Sequence, residues 1–410
     1  MNIGQRTLDT SVESAVAVLS DPPTHWTYSG LKEVETCTLR YSLATANYPG
    51  LWNGYGYPRR PSASAIFGDV VHDALEQIVR ILVAAGCTSS SSPEAVSALR
   101  QVGGYSAVVT DVLHRRLQGL EGNPRLSAAR REQLQRQLVD RIPEVRSEVQ
   151  GHLSRMTLVP RRARAATSTR WRERRALGPG SYAEVSLQAE GVRIKGRLDL
   201  LTITPECVEI VDYKTGAEDP SHLDQLRFYG ALWGQDKVAN VRQTPLGKLT
   251  VAYPNADVTI EAPDQPDLDA LSELIKERVR EADERLQARI PVATTGTHCL
   301  RCPVRSICAA YWATMTENPL GISPGSWFDF EGIVGSRNGV KSWWMLNPST
   351  LKPTLLLRTT SMQTTIAEGQ RLRLLSIRRD DDPEVQTIVA TLTVSSEIFV
   401  VRGEGATSLP

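Results

Sequence analysis

Three cysteines fall inside ten residues, Cys299, Cys302 and Cys308 in HCLRCPVRSIC, and this spacing constrains the fold more than any other stretch of the sequence. A C-x2-C pair followed five residues later by a third cysteine lets three thiolates reach one metal centre, so a fourth ligand has to arrive from elsewhere in the chain. Six cysteines in 410 residues are too few for a disulfide scaffold. The opening MNIGQRTLDTSVESA also lacks the apolar core of a secretory signal, so a reducing, cytoplasmic setting is expected and the thiols read as metal chemistry or packing. Cys37, Cys87 and Cys207 are the choices for the fourth ligand. Cys207 lies in a strand-like segment, and Cys87 follows an apolar helix, where a buried free thiol is common. Cys37, inside LKEVETCTLRYSL, is the best of the three. Zinc with His298 as a ligand is the competing occupant.

A chain of this length exceeds the roughly 250 to 300 residues at which one hydrophobic core stops growing, so a large and a small domain are expected, 1–318 and 319–410. No apolar run approaches the roughly 18 to 20 residues that span a bilayer, and no membrane partner is expected. From Gly68, GDVVHDALEQIVRILVAAG has apolar residues at helical spacing and stops on Gly86. Residues 88–178 are polar, Arg-rich and Gln-rich, and read as a helical insertion. Eight arginines against one acid between 155 and 175 form a patch that could meet phosphate. Because the formal net charge is only +1, any nucleic-acid surface has to be such a local patch. Then the period changes: EVSLQAEGVRIKGRLDLLTI and CVEIVDYKTG alternate as strands, followed by the helical LDQLRFYGALWG, the strand-like GKLTVAYP and a charged helix, DLDALSELIKERVREADERLQARI, that runs into the cysteines. Beyond about residue 319, KPTLLLRTTSM, QRLRLLSI, QTIVATLTV and EIFVVRG read as short strands of a small barrel or sandwich. There is no G-x-x-x-x-G-K-[ST] phosphate loop, and hence no ATP motor of that type.

The chemistry concentrates in two strands. GRLDLLTI carries Asp199, and VEIVDYKTG carries Asp212 and Lys214 at its end. Residues two apart on a strand share a face, so Asp212 and Lys214 point into one space and Tyr213 points away. With Asp199 opposite, two carboxylates can hold Mg2+ or Mn2+ through hard oxygen ligands, and the Tyr213 carbonyl can join them. Lys214 would then orient a water or stabilise the extra negative charge of a phosphoryl transition state. A lone D-x-K is weak, because surface strands often carry such pairs. Its setting, an apolar strand running into the charges, strengthens it. Gly68, His72 and Glu76 form one line along the preceding helix. His72 is a further candidate ligand, although a single helix histidine is more often an ordinary surface residue. Gln225 and Tyr229 lie one helical turn apart just beyond the D-x-K strand, and Glu184, further upstream, is the weakest candidate.

In order along the chain, Cys37, the Gly68 to His72 helix, GRLDLLTI, VDYKTG, QLRFY and C-x2-C-x5-C resemble the RecB-like branch of the PD-(D/E)xK nuclease superfamily. More narrowly, they resemble its iron–sulfur form seen in AddB, exonuclease V and CRISPR-associated RecB-like nucleases. The resemblance covers roughly residues 30–312. It implies an α/β restriction-endonuclease-like core, a mixed sheet flanked by helices, with the 88–178 segment inserted; a small, OB-like C-terminal barrel lies outside it. It further implies His72, Asp199 and Asp212 as metal ligands, Lys214 as the catalytic lysine, Gln225 and Tyr229 as an accessory motif, and a [4Fe-4S] cluster on Cys37, Cys299, Cys302 and Cys308. The cluster would act as a staple, since Cys37 and Cys299 are about 260 residues apart along the chain and tying them removes unfolded-chain entropy.

The expected function is therefore a Mg2+- or Mn2+-dependent deoxyribonuclease, an exonuclease on single-stranded DNA or DNA ends, serving repair, recombination or antiviral defence. A separate helicase or defence-system subunit is the expected partner. The alternative is a non-catalytic DNA-binding or scaffold subunit of a helicase–nuclease complex, against which the intact acids and lysine argue.

Overall fold

A computed structural model describes residues 17–49, 54–161, 175–288, 290–316, 318–360, 366–381 and 387–401. Most of the arginine-rich patch expected around 155–175 lies outside them.

The sequence LKEVETCTLRYSL folds as two helices, α1 (Tyr28–Thr36) and α2 (Thr38–Thr45), and the residue at their joint is Cys37, in extended backbone with φ −164°. A two-residue hairpin follows, β1 (Asn47–Tyr48) with β2 (Gly54–Tyr55). The apolar helix α3 (Ala63–Ala84) starts five residues before the expected Gly68, because Ser62 caps it by accepting from the Ala65 N–H. Gly86, with φ +79°, turns the chain away at its end. Helices α4 (Pro93–Gln101), α5 (Gly104–Gln118), α6 (Ala128–Val139) and α7 (Ile142–Ser154) then pack around α3.

The alternating stretch after residue 179 is two strands, not one continuous strand-like run. β3 (Gly180–Ala189) and β4 (Ile194–Ile203) are joined by a tight 3-10 turn over Glu190–Val192, which Arg193 leaves in the left-handed region. They continue into β5 (Val208–Tyr213), α8 (Pro220–Gln235), β6 (Leu246–Ala252), β7 (Asp257–Glu261) and α9 (Gln265–Gln287). The sheet order is β3-β4-β5-β6-β7, and only β5 and β6 run parallel, because α8 crosses over between them. The sheet is thus mixed and covered on both faces. On one face Leu198, Leu201, Ile210, Leu249 and Val251 meet Leu31 of α1, Leu226, Phe228 and Trp233 of α8, and Ile275 of α9. On the other, Leu200, Tyr213 and Ala252 meet α3, α5 and α7. Each such fully buried Leu or Ile contributes about 1.5–3 kcal/mol, so the strands that carry the acids are held on both sides.

After the short helix α10 (Ala309–Thr314), six strands follow: β8 (Trp327–Arg337), β9 (Ser342–Leu346), β10 (Pro353–Thr359), β11 (Arg371–Arg379), β12 (Val389–Leu392) and β13 (Glu397–Val401). The order β12-β10-β9-β8-β11 closes on itself through β11–β12 pairing, giving a five-stranded barrel with β13 added on β11. The expected barrel is present. β8 and β9, which the sequence patterns did not single out, complete it.

The barrel packs on the cysteine segment. Cys299, Tyr311 and Trp312 share an apolar cluster with Leu375 and Phe399. Asp329 accepts from Arg305 and Tyr311, each at 2.7 Å, and from the Ser376 N–H at 2.8 Å. Glu397 on β13 takes a two-pronged bond from Arg125, at 2.8 and 2.9 Å, and an ion pair from Arg60. The Arg125 side chain is 2% exposed and also donates to the carbonyls of Pro58 and Pro303.

Candidate active site

The two catalytic-candidate strands deliver their acids to one place. Asp199 lies in the middle of β4, and Asp212 is the next-to-last residue of β5. The Tyr213 N–H donates to Asp199 Oδ2 at 2.7 Å, which ties the two strands together at the site. Lys214 lies 2.5 Å from Asp212 Oδ2, as expected for side chains two apart. Tyr213 points the other way, into the helical side, where its ring meets His72 and His152.

Helix α8 supplies the next layer. Gln225 accepts from Lys214 Nζ at 3.0 Å and donates to the Tyr229 hydroxyl at 2.8 Å. The accessory pair therefore holds the lysine, forming a chain Asp212–Lys214–Gln225–Tyr229. Burial, then the Asp212 charge, raises the Tyr229 phenol, so it stays protonated.

Helix α3 approaches from the other side. A Cβ on Gly68 would lie 3.1 Å from Thr215 Oγ1, a tight contact at the end of the D-x-K segment. One turn later, His72 Nδ1 lies 3.3 Å from Asp199 Oδ1. Burial pulls its imidazolium down, but the hydrogen bond and charge of Asp199, with Asp212 and Glu184 beyond, push it up to about 9. Burial would raise Asp199, yet His72, the Tyr213 N–H and Lys214 together hold it below its ordinary value. Burial, then the Asp199 charge, raises Asp212 to about 6.

Glu184 is the residue that sequence reasoning ranked too low. The β3–β4 register passes from Ala183↔Leu200 to Val185↔Leu198, so Glu184 stands level with Asp199, and it does so with φ +52°, a conformation costly for a residue with a Cβ. His72, Glu184 and Asp199 each offer a ligand atom within 4.8 Å of the others. Burial, then the Asp199 charge, raises Glu184 to about 7. No periodicity marks this position, because it depends on a local backbone excursion inside an otherwise regular strand. Its level register with Asp199 could have been found only by pairing the hairpin correctly.

This donor set fits a hard divalent cation. Asp212 Oδ2, buried and beside Lys214, receives no aligned hydrogen bond. His72, Glu184 and Asp199 crowd like charges and a proton that a cation would replace.

The clustered cysteines form a second group. Cys37, Cys299, Cys302 and Cys308 line one cavity, together with Arg40, His298, Arg305 and Tyr311. The Thr294 N–H donates to Cys37 Sγ at 3.4 Å. Burial raises the Cys302 and Cys308 thiols, and the neighbouring cysteines raise them further. Cys87 is buried in the helical core and Cys207 lies in the loop before β5, so neither takes part.

No curated protein matches the chain. Among solved structures, it is similar to "SSO0001" at 19% identity, covering 58% of this chain and 84% of that one with a TM-score of 0.21. It is similar to the p204 HINb domain at 10% identity, covering 28% of this chain, with a TM-score of 0.18. It is also similar to fission yeast Pot1 with ssDNA at 11% identity, covering 36% of this chain, with a TM-score of 0.17. The chain spans only 56% and 48% of the lengths of these last two. The family model of the PD-(D/E)XK nuclease superfamily matches residues 25–309, the span from the helix before Cys37 to the last of the clustered cysteines, and the chain belongs to that superfamily.

Proposed function

We propose that the protein is a Mg2+- or Mn2+-dependent deoxyribonuclease of the RecB-like branch, acting as an exonuclease on single-stranded DNA or DNA ends. The observation that carries the reading is the convergence of His72, Glu184 and Asp199 on one point, with Asp212 and the Lys214 it pairs with on the adjacent strand. His72, Glu184, Asp199, Asp212 and the Tyr213 carbonyl would hold the cation, which polarises the scissile phosphate and lowers the pKa of a bound water. Asp212 and Gln225 fix the Lys214 ammonium, so it meets the developing negative charge with little reorganisation. Tyr229 holds Gln225 and remains a hydrogen-bonding phenol.

The four cysteines we assign to a [4Fe-4S] cluster. Arg40, which lines their cavity, has a buried Nε–H with no hydrogen-bond partner, a donor suited to a sulfur-rich anion. The cluster would staple α1 and α2 to the segment that carries the barrel. In this reading the nuclease domain spans 1–318 with 88–178 as an insertion, and 319–410 forms an OB-like accessory domain. A separate helicase or defence-system subunit supplies unwinding in repair, recombination or defence. Among the described residues, no helix is long and apolar enough to cross a membrane.

The test is cleavage of end-labelled single-stranded and duplex DNA by anaerobically purified protein with Mg2+, Mn2+ or EDTA, beside Asp212→Ala. Metal-dependent cleavage from a free end that the variant lacks is the expected result. No cleavage in any metal by protein that carries the brown absorption of an iron–sulfur cluster would overturn the reading.

A further inference from the structure

Glu76, the third residue of the line Gly68, His72, Glu76, has no part in the chemistry above, and its partner leads to a further function. Arg197 lies two residues before Asp199 on β4. Its guanidinium bridges Glu184, in close contact, and Glu76, at 3.4 Å. The two acids are 12% and 15% exposed, whereas the Arg197 side chain is 57% exposed, so the cation sits at the mouth and the carboxylates beneath it.

We propose that Arg197 is a substrate-binding residue of this nuclease: it neutralises Glu184 in the metal-free protein and turns to a DNA phosphate when Glu184 takes a divalent cation. The proposal rests on the nuclease reading of the same site. Its physical basis is competition for one carboxylate. Glu184 cannot serve a guanidinium and a nearby divalent cation equally, because the two positive charges repel at close range across a poorly solvated gap. Glu76 is not left uncompensated by the exchange, since Arg80 also pairs with it at 2.6 Å. A planar guanidinium with two parallel donors matches a phosphodiester's non-bridging oxygens, and an exposed stem of this length can reach them. Lys214 does not fill that role, because its side chain is only 19% exposed and is held by Asp212 and Gln225 below the mouth. Arg116 is also near the mouth, but it is held by Asp73 through two bonds of 2.5 and 2.6 Å, and Asp73 is outside the metal-capable group.

The experiment compares wild type, Arg197→Ala, Arg197→Lys and Arg116→Ala. Mn2+ affinity is read by electron paramagnetic resonance without DNA. Binding of a fluorescent single-stranded oligonucleotide is read in Ca2+, a weaker Lewis acid that occupies the site with little cleavage, and in EDTA. Arg197→Ala is expected to bind Mn2+ several-fold more tightly and the Ca2+-dependent oligonucleotide about tenfold more weakly, with no change in EDTA. Arg197→Lys, which keeps the charge without the fork, falls between, and it covers the case in which the alanine variant does not fold. Arg116→Ala leaves the Mn2+ affinity unchanged. Unaltered or weaker Mn2+ binding by both Arg197 variants, or unaltered Ca2+-dependent DNA binding, makes Arg197 a static ion-pair partner and overturns the proposal. If wild type itself shows no metal-stimulated DNA binding, the nuclease reading falls with it, an outcome recognisable without any variant.

Discussion

Replacing Glu148 by Gln should stabilise the protein in a pH-dependent way. Glu148 is on α7, 10% exposed, and its Oε1 lies 4.0 Å from His152 Nε2; both atoms are buried without a hydrogen-bond partner. Burial, then the neighbouring Glu144, raises the carboxyl to about 7, with His72 and Arg141 opposing. His152 gives no cationic partner, because burial, then Arg155, pushes it down to about 4. The folded state therefore holds a proton on Glu148 between pH 4.5 and 7 that the unfolded chain has released, so stability falls as pH rises through that window. A gap of 7 minus 4.5 corresponds to about 3 kcal/mol lost by pH 8. Glutamine is near-isosteric and does not titrate. Urea unfolding followed by circular dichroism should give a stability gap between Glu148→Gln and wild type that is small at pH 4.5–5 and grows to about 3 kcal/mol at pH 8.5. A gap that stays constant over that range would show that Glu148 ionises freely in the folded protein and would refute the reasoning.

Glu184→Gln should weaken Mn2+ binding at least tenfold, lower cleavage by two or more orders of magnitude, and lower the His72 pKa from about 9 by removing a neighbouring negative charge; calorimetry, end-labelled DNA and histidine NMR check these in turn. Cys37→Ser should bleach the brown colour and lower the denaturant midpoint, with a loss of up to about 5 kcal/mol if the staple acts by closing a loop of this length. Arg125→Met leaves Glu397 short of its main partner and should cost about 3–5 kcal/mol, while Arg125→Met with Glu397→Gln recovers part of it; thermal unfolding of the two variants decides.

Much of the site was legible because it is written in strand alternation and helix period. Asp212 and Lys214 share a face by the two-residue repeat, and Gln225 and Tyr229 share one by the helical turn. The bond from Lys214 to Gln225 needed only that α8 fold back on β5. Cys37 was preferred over Cys87 and Cys207 because Cys87 follows an apolar helix and Cys207 reads as part of a strand, although the structure puts Cys207 in the loop just before β5. What escaped lies in geometry that no period encodes. The turn at Glu190–Val192 splits what reads as one alternating run, and without that hairpin Glu184 has no reason to be level with Asp199. The barrel's first strands were missed because β8 is interrupted by glycines and β9 is short, so neither offers a long clean alternation. The Arg125–Glu397 bond joins residues 272 apart and is invisible to any local pattern.

That bond bears on how the molecule is made. Arg125 waits for Glu397, so this buried tie cannot form until most of the chain has been synthesised. At the usual pace of translation the interval between Arg125 and Glu397 is on the order of tens of seconds. During it the apolar face of the cysteine segment, later covered by Leu375 and Phe399, stands open to water, and chaperone dependence and inclusion-body formation should track the synthesis of β11 to β13 more than that of the catalytic strands.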